Sequence, residues 1–485
     1  MDFLFCLLSG FLTALSMPGF VADLFVWFSL VPLLFVLKRG RPFRNAVLTF
    51  LYFYTHTLIT YFWVLPVLTE NLPAVFGRFP PWVGVVTYLL MGGIVSFPFL
   101  GFGFLMDFAP KNTILKTLYT ASSYTIFEYL RGVGELGFTG GRLSDSLFNR
   151  VGLIQICSIT GTLGLVFLVV VVNALIAEFF RRKRFSAIVV FLCTVYVVDS
   201  LVARFLPLPT STAHTKLLVV QQNVPSSVMY PVPSEKMLKI LEEAVPEDNK
   251  TLVVTPEAFF LEDVRYTRVG EKLLEMSREM PMLIAFPAEG KNAVFLVKDG
   301  NFDLVYSKVK LFPFVEKLPY PSIFGVFSFL RGLEYYEPGE KFSVINLEGL
   351  PLFSVQICFE SYFPEVSRAF VRNGSELLIV VTNDGWFHHR VALLNHFVQC
   401  VFRAVENRRF FVQVANTGIT GVVDEYGRIL KVIPPGRWAD TLEVKGVRVR
   451  TFYSKYGDYI VYIAVFVPLF CLVTGKKRRK GVEGR

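Results

Sequence analysis

Apolar runs dominate both ends of this sequence and exclude a wholly soluble protein. A helix needs roughly 20 apolar residues to cross the hydrocarbon core of a membrane, which is about 30 Å thick. Candidate spans of about that length lie at residues 3–17, 20–37, 45–65, 82–106, 113–131, 152–179, 185–203 and 457–474. The sequence therefore predicts about eight transmembrane helices, seven in a domain at residues 1–203 and one in the C-terminal segment 456–485.

The distribution of charge predicts an orientation in the membrane. The net charge is +10, but residues 204–455 hold 29 basic and 28 acidic residues, so the excess lies around the apolar runs. Basic clusters follow every second run, at residues 38–44, 111–116, 181–184 and 476–480. Because cytoplasmic loops are enriched in Lys and Arg, both termini are predicted to be cytoplasmic and residues 204–455 extracytoplasmic. Topology explains the basic excess, so no nucleic-acid partner is predicted.

Residues 204–455 have the pattern of one α/β domain. Short β-rich runs alternate with helical segments, and that alternation indicates this fold class. The predicted strands are Leu217–Gln221, Thr251–Thr255, Met282–Phe286, Ala293–Val297, Leu352–Ile357, Leu377–Val381 and Phe411–Ala415. Helices are predicted near residues 235–245, 267–278 and 390–408.

Cys358 is the first candidate for a catalytic group. It follows a predicted buried strand, and the residues after it can begin a helix. A turn from strand to helix exposes a nucleophile, its backbone N–H groups can hold an oxyanion, and a helix N-terminus lowers the pKa of a thiol. Two ordinary explanations stay open: a buried cysteine at a strand end, or a disulfide between Cys358 and Cys400 in an oxidising compartment.

Glu257 and Lys308 are also interpreted as lying at strand ends. Taken singly, Glu257 could be a solvated turn residue, and Lys308 an edge-strand lysine or one whose stem lies along apolar surface. Strand ends collect functional groups at one edge of an α/β sheet. We therefore expect Glu257, Lys308 and Cys358 to form one site containing an acid, a base and a thiol.

These residues and their flanking motifs resemble a known family. The order Glu-Lys-Cys, with K-x-x-L-x-P-F-x-E at residues 308–316 and C-F-E at 358–360, resembles the nitrilase, or carbon–nitrogen hydrolase, superfamily. With the apolar runs, nearly the whole chain resembles the membrane-embedded branch, the apolipoprotein N-acyltransferases. The motif spacing also selects Lys308 over Lys310, which would face the same side of an extended strand.

The resemblance implies an αββα sandwich on the periplasmic side of the bacterial cytoplasmic membrane. In that family's reaction Cys358 would take an acyl chain from a phospholipid as a thioester, with Glu257 as general base and Lys308 stabilising the oxyanion. The chain would then pass to the α-amino group of an N-terminal diacylglyceryl-cysteine of an apolipoprotein. The implied partners are phospholipid, apolipoprotein and the bilayer, and no cofactor or metal is implied.

The same resemblance suggests three supporting residues. Glu316 would hold Lys308 in place, and Glu360 would lie close to the thiol. Phe359 stands where the family commonly has Tyr, which keeps an aromatic face without the hydroxyl.

Aromatic residues are the predicted contacts for substrate. Tyr230 stands where the family commonly has Trp. The apolar stretch 320–330 contains Phe327 and Phe329 and predicts a mobile lid that enters the outer leaflet, with a buried helix as the alternative. Trp386 and Phe387 are grouped with this surface.

Two further groups of residues are assigned no function. His388, His389 and His396 have no matching Cys or carboxylate spacing, so no zinc site is predicted. Glu128 and Arg131 lie one helical turn apart and are interpreted as a structural pair.

Two alternative functions stay open. A membrane-anchored amidase or nitrilase would use the same three residues, with water in place of the lipoprotein amine. A transporter with an external binding module would need ionisable residues deep within several spans. Such residues are scarce in the apolar runs, which counts against transport.

Overall fold

The computed structural model describes residues 1–71, 73–74, 80–207, 215–224, 232–246, 251–326, 335–387, 389–434, 436 and 439–483. The chain forms two compact units. The helical unit comprises Met1–Thr69, Pro80–Leu206 and Tyr456–Arg485, and the α/β unit comprises Glu70–Phe79 and Pro207–Lys455.

The helical unit is built from ten α-helices within the residues that the structure describes. Four short 3₁₀ or π segments, Asp23–Trp27, Val67–Asn71, Leu143–Leu147 and Leu153–Ile156, lie between them. The α-helices are α1 (Asp2–Ser16), α2 (Val31–Val36), α3 (Pro42–Thr60), α4 (Val64–Pro66), α5 (Pro81–Ser96), α6 (Phe99–Met106), α7 (Thr113–Leu130), α8 (Cys157–Arg181), α9 (Phe185–Phe205) and α16 (Tyr459–Glu483).

Two of these helical segments are long and apolar enough to span a membrane, namely Leu153–Arg181 and Phe185–Phe205. Two bent pairs raise the number to four if each pair is one span: Pro42–Thr60 with Val64–Asn71, bent by 72°, and Pro81–Ser96 with Phe99–Met106, bent by 42°. Pro98 lies at the second bend, and proline is a common cause of such breaks because it lacks the N–H. The structure thus gives two to four spans by length and composition, and the predicted number of eight is not confirmed.

A buried ion pair joins Glu128 and Arg131 inside the helical unit. The Arg131 guanidinium also donates to the carbonyl oxygens of Phe138, at 2.8 Å, and Gly140, at 2.9 Å. A buried charge is costly unless it is paired and hydrogen-bonded. These contacts hold the segment after α7 in place, in agreement with a structural interpretation of the pair.

The α/β unit contains two sheets. The first has the strand order β11-β1-β2-β3-β4-β5 and the second has the order β10-β9-β8-β7-β6. Strands β1–β3 are parallel to one another, as are β6–β8, whereas the remaining neighbours pair antiparallel. The strands are β1 (Thr215–Val220), β2 (Leu252–Val254), β3 (Met282–Ala288), β4 (Lys291–Lys298), β5 (Asn301–Ser307), β6 (Phe353–Ile357), β7 (Leu377–Thr382), β8 (Phe410–Ala415), β9 (Gly421–Val423), β10 (Ile429–Val432) and β11 (Ala439–Val444).

Both faces of the central strands are buried. The helices of the unit are α10 (Ser234–Ala244), α11 (Arg268–Met276), α12 (Pro321–Phe324), α13 (Pro364–Arg372), α14 (Arg390–Asn407) and α15 (Phe452–Tyr456). Side chains of α10 and α11 enter one apolar core with alternate residues of β1–β4. The intervening residues of those strands, such as Val219 and Val254, are fully buried as well. Helices thus cover one face of the first sheet and its other face is buried as well, which is the arrangement of one half of the expected αββα sandwich.

All seven predicted strands and the three predicted helices of this region are confirmed, with ends that shift by a few residues. Strands β9, β10 and β11 and the short helices α12 and α15 were not predicted, and of β5 only its end, before Lys308, was expected. The reason is visible in β10, where all four residues are exposed, and in β5, which is only partly buried. Such strands lack the continuous apolar run that identifies a buried strand from sequence.

Candidate functional site

Strand ends bring two of the three predicted catalytic residues into direct contact. Glu257 follows β2 and Lys308 follows β5, and the Lys308 Nζ lies 3.1 Å from Glu257 Oε1. Cys358 follows β6 in the other sheet, and the charges of both residues act on its thiol. The expected grouping of acid, base and thiol therefore forms within the α/β unit.

Lys308 is buried between two carboxylates. Its Nζ lies 2.8 Å from Glu316 Oε1 in addition to the contact with Glu257. Asn292 Nδ2 donates to both carboxylates, at 2.9 Å each. Burial alone would lower the pKa of Lys308, but the two carboxylates outweigh it and hold the pKa well above its ordinary value. Lys308 is therefore a fixed cation, held by Glu316 as the sequence predicts.

Glu257 is held in its charged form. Its Oε2 accepts a hydrogen bond from the backbone N–H of Asn383, at 3.0 Å, at the end of β7. Burial raises the pKa of Glu257, but the Lys308 ammonium and the hydrogen bonds from Asn292 and Asn383 outweigh burial and leave the pKa below its ordinary value. A buried carboxylate in this state is able to accept a proton from a neighbouring group.

Cys358 occupies a strained turn. Its backbone has φ = 50°, in the left-handed region that non-glycine residues rarely adopt, and it begins a 3₁₀ turn, Cys358–Tyr362, after β6. Desolvation, followed by the charge of Glu257, raises the pKa of the thiol well above its ordinary value, whereas Lys308 opposes this shift. The predicted lowering of this pKa by a helix N-terminus is wrong, because one short turn does not offset burial. The resting thiol is neutral and needs a base.

The cysteines do not form the alternative disulfide. All six are free, and Cys400 Sγ instead lies 3.2 Å from Gln413 Oε1, to which it donates. Cys358 is therefore available as a thiol.

Glu360 joins the nucleophile turn to the end of β5. Its Oε1 accepts hydrogen bonds from the backbone N–H groups of Val309, at 2.7 Å, and Lys310, at 2.9 Å. Its Oε2 accepts from the N–H of Ile357, at 2.8 Å, and Tyr306 donates its hydroxyl to the same carboxylate. Glu360 is fully buried, so it positions the backbone on both sides of the site.

Two predictions about neighbouring side chains can be compared with the structure. Phe359 packs against Phe312 and Phe363, with ring centroids 4.7 and 4.9 Å away, so its aromatic face is used in packing. Lys310 is partly exposed and its Nζ lies 3.8 Å from Glu365. The buried network thus contains Lys308 and not Lys310, as the motif spacing predicts.

The predicted substrate contacts are only partly described. Trp386 and Phe387 are half-buried at the 3₁₀ turn Asp384–Trp386, which follows β7 beside the site. Tyr230, Phe327 and Phe329 lie outside the described residues. In the described part of the apolar stretch, Ile323 and Val326 are 60% and 66% exposed, so a fully buried helix is wrong for that part.

The sequence analysis assigned no function to the histidines, but the structure places one of them at the site. His388 lies outside the described residues, and His389 Nδ1 accepts from the backbone N–H of Val391, at 3.2 Å, at the start of α14. His396, however, lies beside the nucleophile: one of its ring nitrogens, an Asp384 oxygen and Cys358 Sγ are within 4.8 Å of one another. Spacing along the chain could not reveal this group, because its members come from a turn, a strand end and a helix.

Neither ring nitrogen of His396 is open to a metal ion. Nδ1 contacts Asp384 Oδ1 at 2.7 Å, and Nε2 contacts the carbonyl oxygen of Cys358 at 3.2 Å and Ser361 Oγ at 3.1 Å. We therefore assign no metal to this group.

Asn292, Asn383 and Asp384 are functional-site residues that the sequence analysis missed. Asn383 and Asp384 directly follow the apolar strand β7, and polar residues at that position could have been recognised. Asn292 lies within β4, where no such pattern marks it.

A buried carboxylate, a buried ammonium and a thiol at strand ends are the components of nucleophilic acyl transfer. Residues 233–448 match the family model described as carbon–nitrogen hydrolase, so the fold and the site define a carbon–nitrogen hydrolase domain. Residues 9–175 match the model described as apolipoprotein N-acyltransferase N-terminal domain. The chain belongs to the apolipoprotein N-acyltransferase family, since it is 58% identical to the apolipoprotein N-acyltransferase of Thermotoga maritima over 98% of this chain and 94% of that protein.

More distant proteins are similar as well. The apolipoprotein N-acyltransferase of Geobacter metallireducens is 29% identical over 96% of this chain and 93% of that protein. Among solved structures, an amidase from Nesterenkonia sp. aligns with 53% of this chain and 98% of its own, at 18% identity and a TM-score of 0.37.

Proposed function

We propose that the chain transfers an acyl chain from a phospholipid to the α-amino group of an N-terminal diacylglyceryl-cysteine, through a thioester on Cys358. The observation that carries this proposal is the buried contact between Glu257 and Lys308 beside the Cys358 thiol. That site occurs in a chain that is alike in sequence to apolipoprotein N-acyltransferases over almost its full length.

The first half-reaction forms the acyl-enzyme. Glu257 takes the proton from Cys358, whose Sγ attacks the carbonyl carbon of a phospholipid ester. Lys308 donates a hydrogen bond to the oxyanion that develops. The C–O bond then breaks, Glu257 returns the proton to the leaving oxygen, and a lysophospholipid alcohol departs.

The second half-reaction forms the amide. The neutral α-amino group of the lipoprotein cysteine attacks the thioester carbon, and Lys308 again stabilises the oxyanion. Glu257 accepts a proton from the amine and returns it to the departing thiolate of Cys358. One site therefore serves two lipid substrates in turn, which is ping-pong kinetics.

The surrounding network keeps these groups in their working charge states. Glu316 and Asn292 hold Lys308 and Glu257 through hydrogen bonds of 2.8 to 2.9 Å. Two of the three Lys308 N–H donors bind carboxylates in the described structure, so a third can serve the reacting oxygen. Glu360 keeps the nucleophile turn in register with the end of β5.

The substrate-contacting surface and the membrane arrangement belong to the same proposal. Acyl chains would contact Trp386, Phe387, Tyr230, Phe327 and Phe329. Residues 1–203 would lie in the cytoplasmic membrane as seven helices, and residues 204–455 would be the extracytoplasmic catalytic domain. Residues 456–485 would add the last helix and a basic cytoplasmic tail. Apolar helices in the structure and exposed apolar residues of the 320–326 segment support this arrangement.

The test uses the purified full chain with phospholipid and a synthetic diacylglyceryl-cysteine peptide. We expect the peptide to gain one acyl chain on its amine, and we expect Cys358→Ala to abolish the gain. A peptide with an acetylated amine is the matched control and should stay unchanged. Release of free fatty acid or ammonia without acylation of the peptide would contradict the proposal and favour hydrolysis.

A further inference from the structure

A second buried ion pair lies next to the nucleophile. His396 and Asp384 are both almost fully buried, and His396 Nδ1 lies 2.7 Å from Asp384 Oδ1. A ring nitrogen of His396 and a carboxylate oxygen of Asp384 each lie within 4.8 Å of Cys358 Sγ. Charges at such a distance change the ionisation of a neighbouring group, so this pair is able to influence the thiol directly.

The hydrogen bonds of His396 indicate that it is an imidazolium. Nδ1 faces a carboxylate oxygen, and Nε2 lies 3.2 Å from the carbonyl oxygen of Cys358. Both oxygens can only accept, so a ring that bonds to both of them carries a proton on each nitrogen. The Ser361 hydroxyl, 3.1 Å from Nε2, can accept from the same N–H. The pKa of His396 agrees: burial lowers it, but Asp384 outweighs burial and the net shift is upward.

Asp384 needs a positive partner. Its Oδ2 is buried and has no hydrogen-bond partner in the described part of the chain. Gly418 lies so close to Asp384 Oδ2 that a Cβ atom at position 418 would be 2.2 Å from that oxygen. Glycine at position 418 therefore leaves the room that the Asp384 carboxylate occupies. The one ammonium of the site, Lys308, is already paired with Glu257 and Glu316. Without a cation beside it, Asp384 would add a further negative charge where the Cys358 thiolate has to form.

We propose that His396, held by Asp384, is a positioning residue for Cys358. Its cation offsets the Asp384 carboxylate when the thiolate forms, and its Nε2–H fixes the carbonyl of the left-handed Cys358. The inference rests on the proposed function, in which Cys358 is the nucleophile. No bond to His396 forms or breaks, and the thiol proton goes to Glu257 as before.

Further titratable and charged side chains surround His396, from the nucleophile turn and from helix α14. The ring of Tyr362 stacks on His396 with centroids 5.4 Å apart, and Arg403 donates to the carbonyls of the same turn. The titratable or charged groups around the pair are Glu257, Lys308, Cys358, Tyr362, Cys400 and Arg403. All of them stay present in the variants below, so they do not account for a difference between those variants.

The experiment measures alkylation of Cys358 by iodoacetamide in the purified full chain, without lipid, across a range of pH. The modified peptide is identified by mass, which separates Cys358 from the other cysteines. For His396→Gln we expect the pH midpoint of alkylation to rise by about one unit or more, the size typical of a nearby charge. An unchanged midpoint would overturn the proposal.

The double variant Asp384→Asn/His396→Gln is the matched control, because it removes both charges together. Its midpoint is expected close to that of the wild type, although H396Q alone is displaced. If the pH midpoint of Cys358 alkylation in the double variant rises by about one unit or more, the proposal is also overturned. This comparison needs only the wild type and the double variant, so it holds even if H396Q cannot be purified as a folded protein. Since alkylation needs no lipid, failure of acyl transfer would be distinguished from failure of this inference.

Discussion

The Lys308 ammonium lies 3.1 Å from the Glu257 carboxylate, and both side chains are at most 8% exposed. Two charges so far removed from water stay charged only because each holds the other, with Glu316 as a second partner for Lys308. This contact explains how one site keeps a base and an oxyanion donor ready at the same time.

Lys308→Met should strongly destabilise the protein. It leaves the Glu257 and Glu316 carboxylates buried without a cation, and breaking a buried pair in this way costs about 3–5 kcal/mol. We expect the thermal unfolding midpoint of the purified full chain to fall by about 10 °C. Lys310→Met is the control, since the Lys310 ammonium is partly exposed, with Glu365 at 3.8 Å and the Phe363 ring centroid at 4.4 Å. Loss of such an exposed ion pair should cost about 0–1 kcal/mol. Equal effects of the two substitutions would show that the buried pair is not important for stability.

Glu257→Gln should remove the general base with little change in shape. The amide can still accept a hydrogen bond from Lys308, but it cannot take the thiol proton. The rate of acyl-enzyme formation should fall by about 10²–10⁴-fold, measured by rapid quench and mass spectrometry. Glu316→Gln keeps Glu257 as the base and is the matched control, with a clearly smaller loss expected. The assignment of Glu257 fails if the two variants lose activity equally.

Stability should depend on pH through Glu257. Its folded pKa is lower than the unfolded value of about 4.3, so its stabilising contribution is present above that value. It is lost as the pH falls through the folded pKa. The difference in unfolding midpoint between wild type and Glu257→Gln should therefore be constant near neutral pH and shrink below about pH 4. A difference that grows on acidification would have the wrong sign for this account.

Glu360→Gln should slow chemistry without weakening lipid binding. The carboxylate accepts three backbone N–H groups and the Tyr306 hydroxyl, whereas an amide has one acceptor oxygen and would turn its NH₂ toward a donor. We expect a loss of about 1–3 kcal/mol of stability and a fall in kcat of about 10–100-fold, with KM for phospholipid little changed. Tyr306→Phe removes a single donor and should have a smaller effect on both. A rise in KM alone would show that Glu360 acts on binding instead.

Sequence reasoning placed Glu257 and Cys358 at strand ends because apolar runs can be recognised locally. Glu257 and Cys358 follow apolar runs that the structure shows as β2 and β6, and the spacing of the motif separates Lys308 from Lys310. The partners of these residues were harder to find. Asn292 reaches Glu257 from a different strand, and His396 reaches Cys358 across 38 positions of the chain. Such contacts depend on which strands and helices become neighbours in the folded unit, which no local pattern encodes.

The ionisation of Cys358 could not be predicted from the local sequence either. The pattern of a strand followed by a turn correctly predicted the position of the Cys358 thiol. The pKa of that thiol, however, depends on burial and on the charges of Glu257 and Asp384. The predicted number of eight membrane spans stays a prediction, since two to four of the described helices meet the criteria of length and composition. An apolar run predicts burial or a membrane, but it does not show where a bend divides the helix.

Intact-mass analysis of the purified full chain after incubation with phospholipid alone shows whether Cys358 carries the acyl group. We expect a mass increase of one acyl chain, removed by hydroxylamine and located on Cys358 by peptide mapping. The adduct should be absent in Cys358→Ala and form much more slowly in Glu257→Gln. An adduct on another residue, or transfer to the peptide amine by Cys358→Ala, would contradict the account.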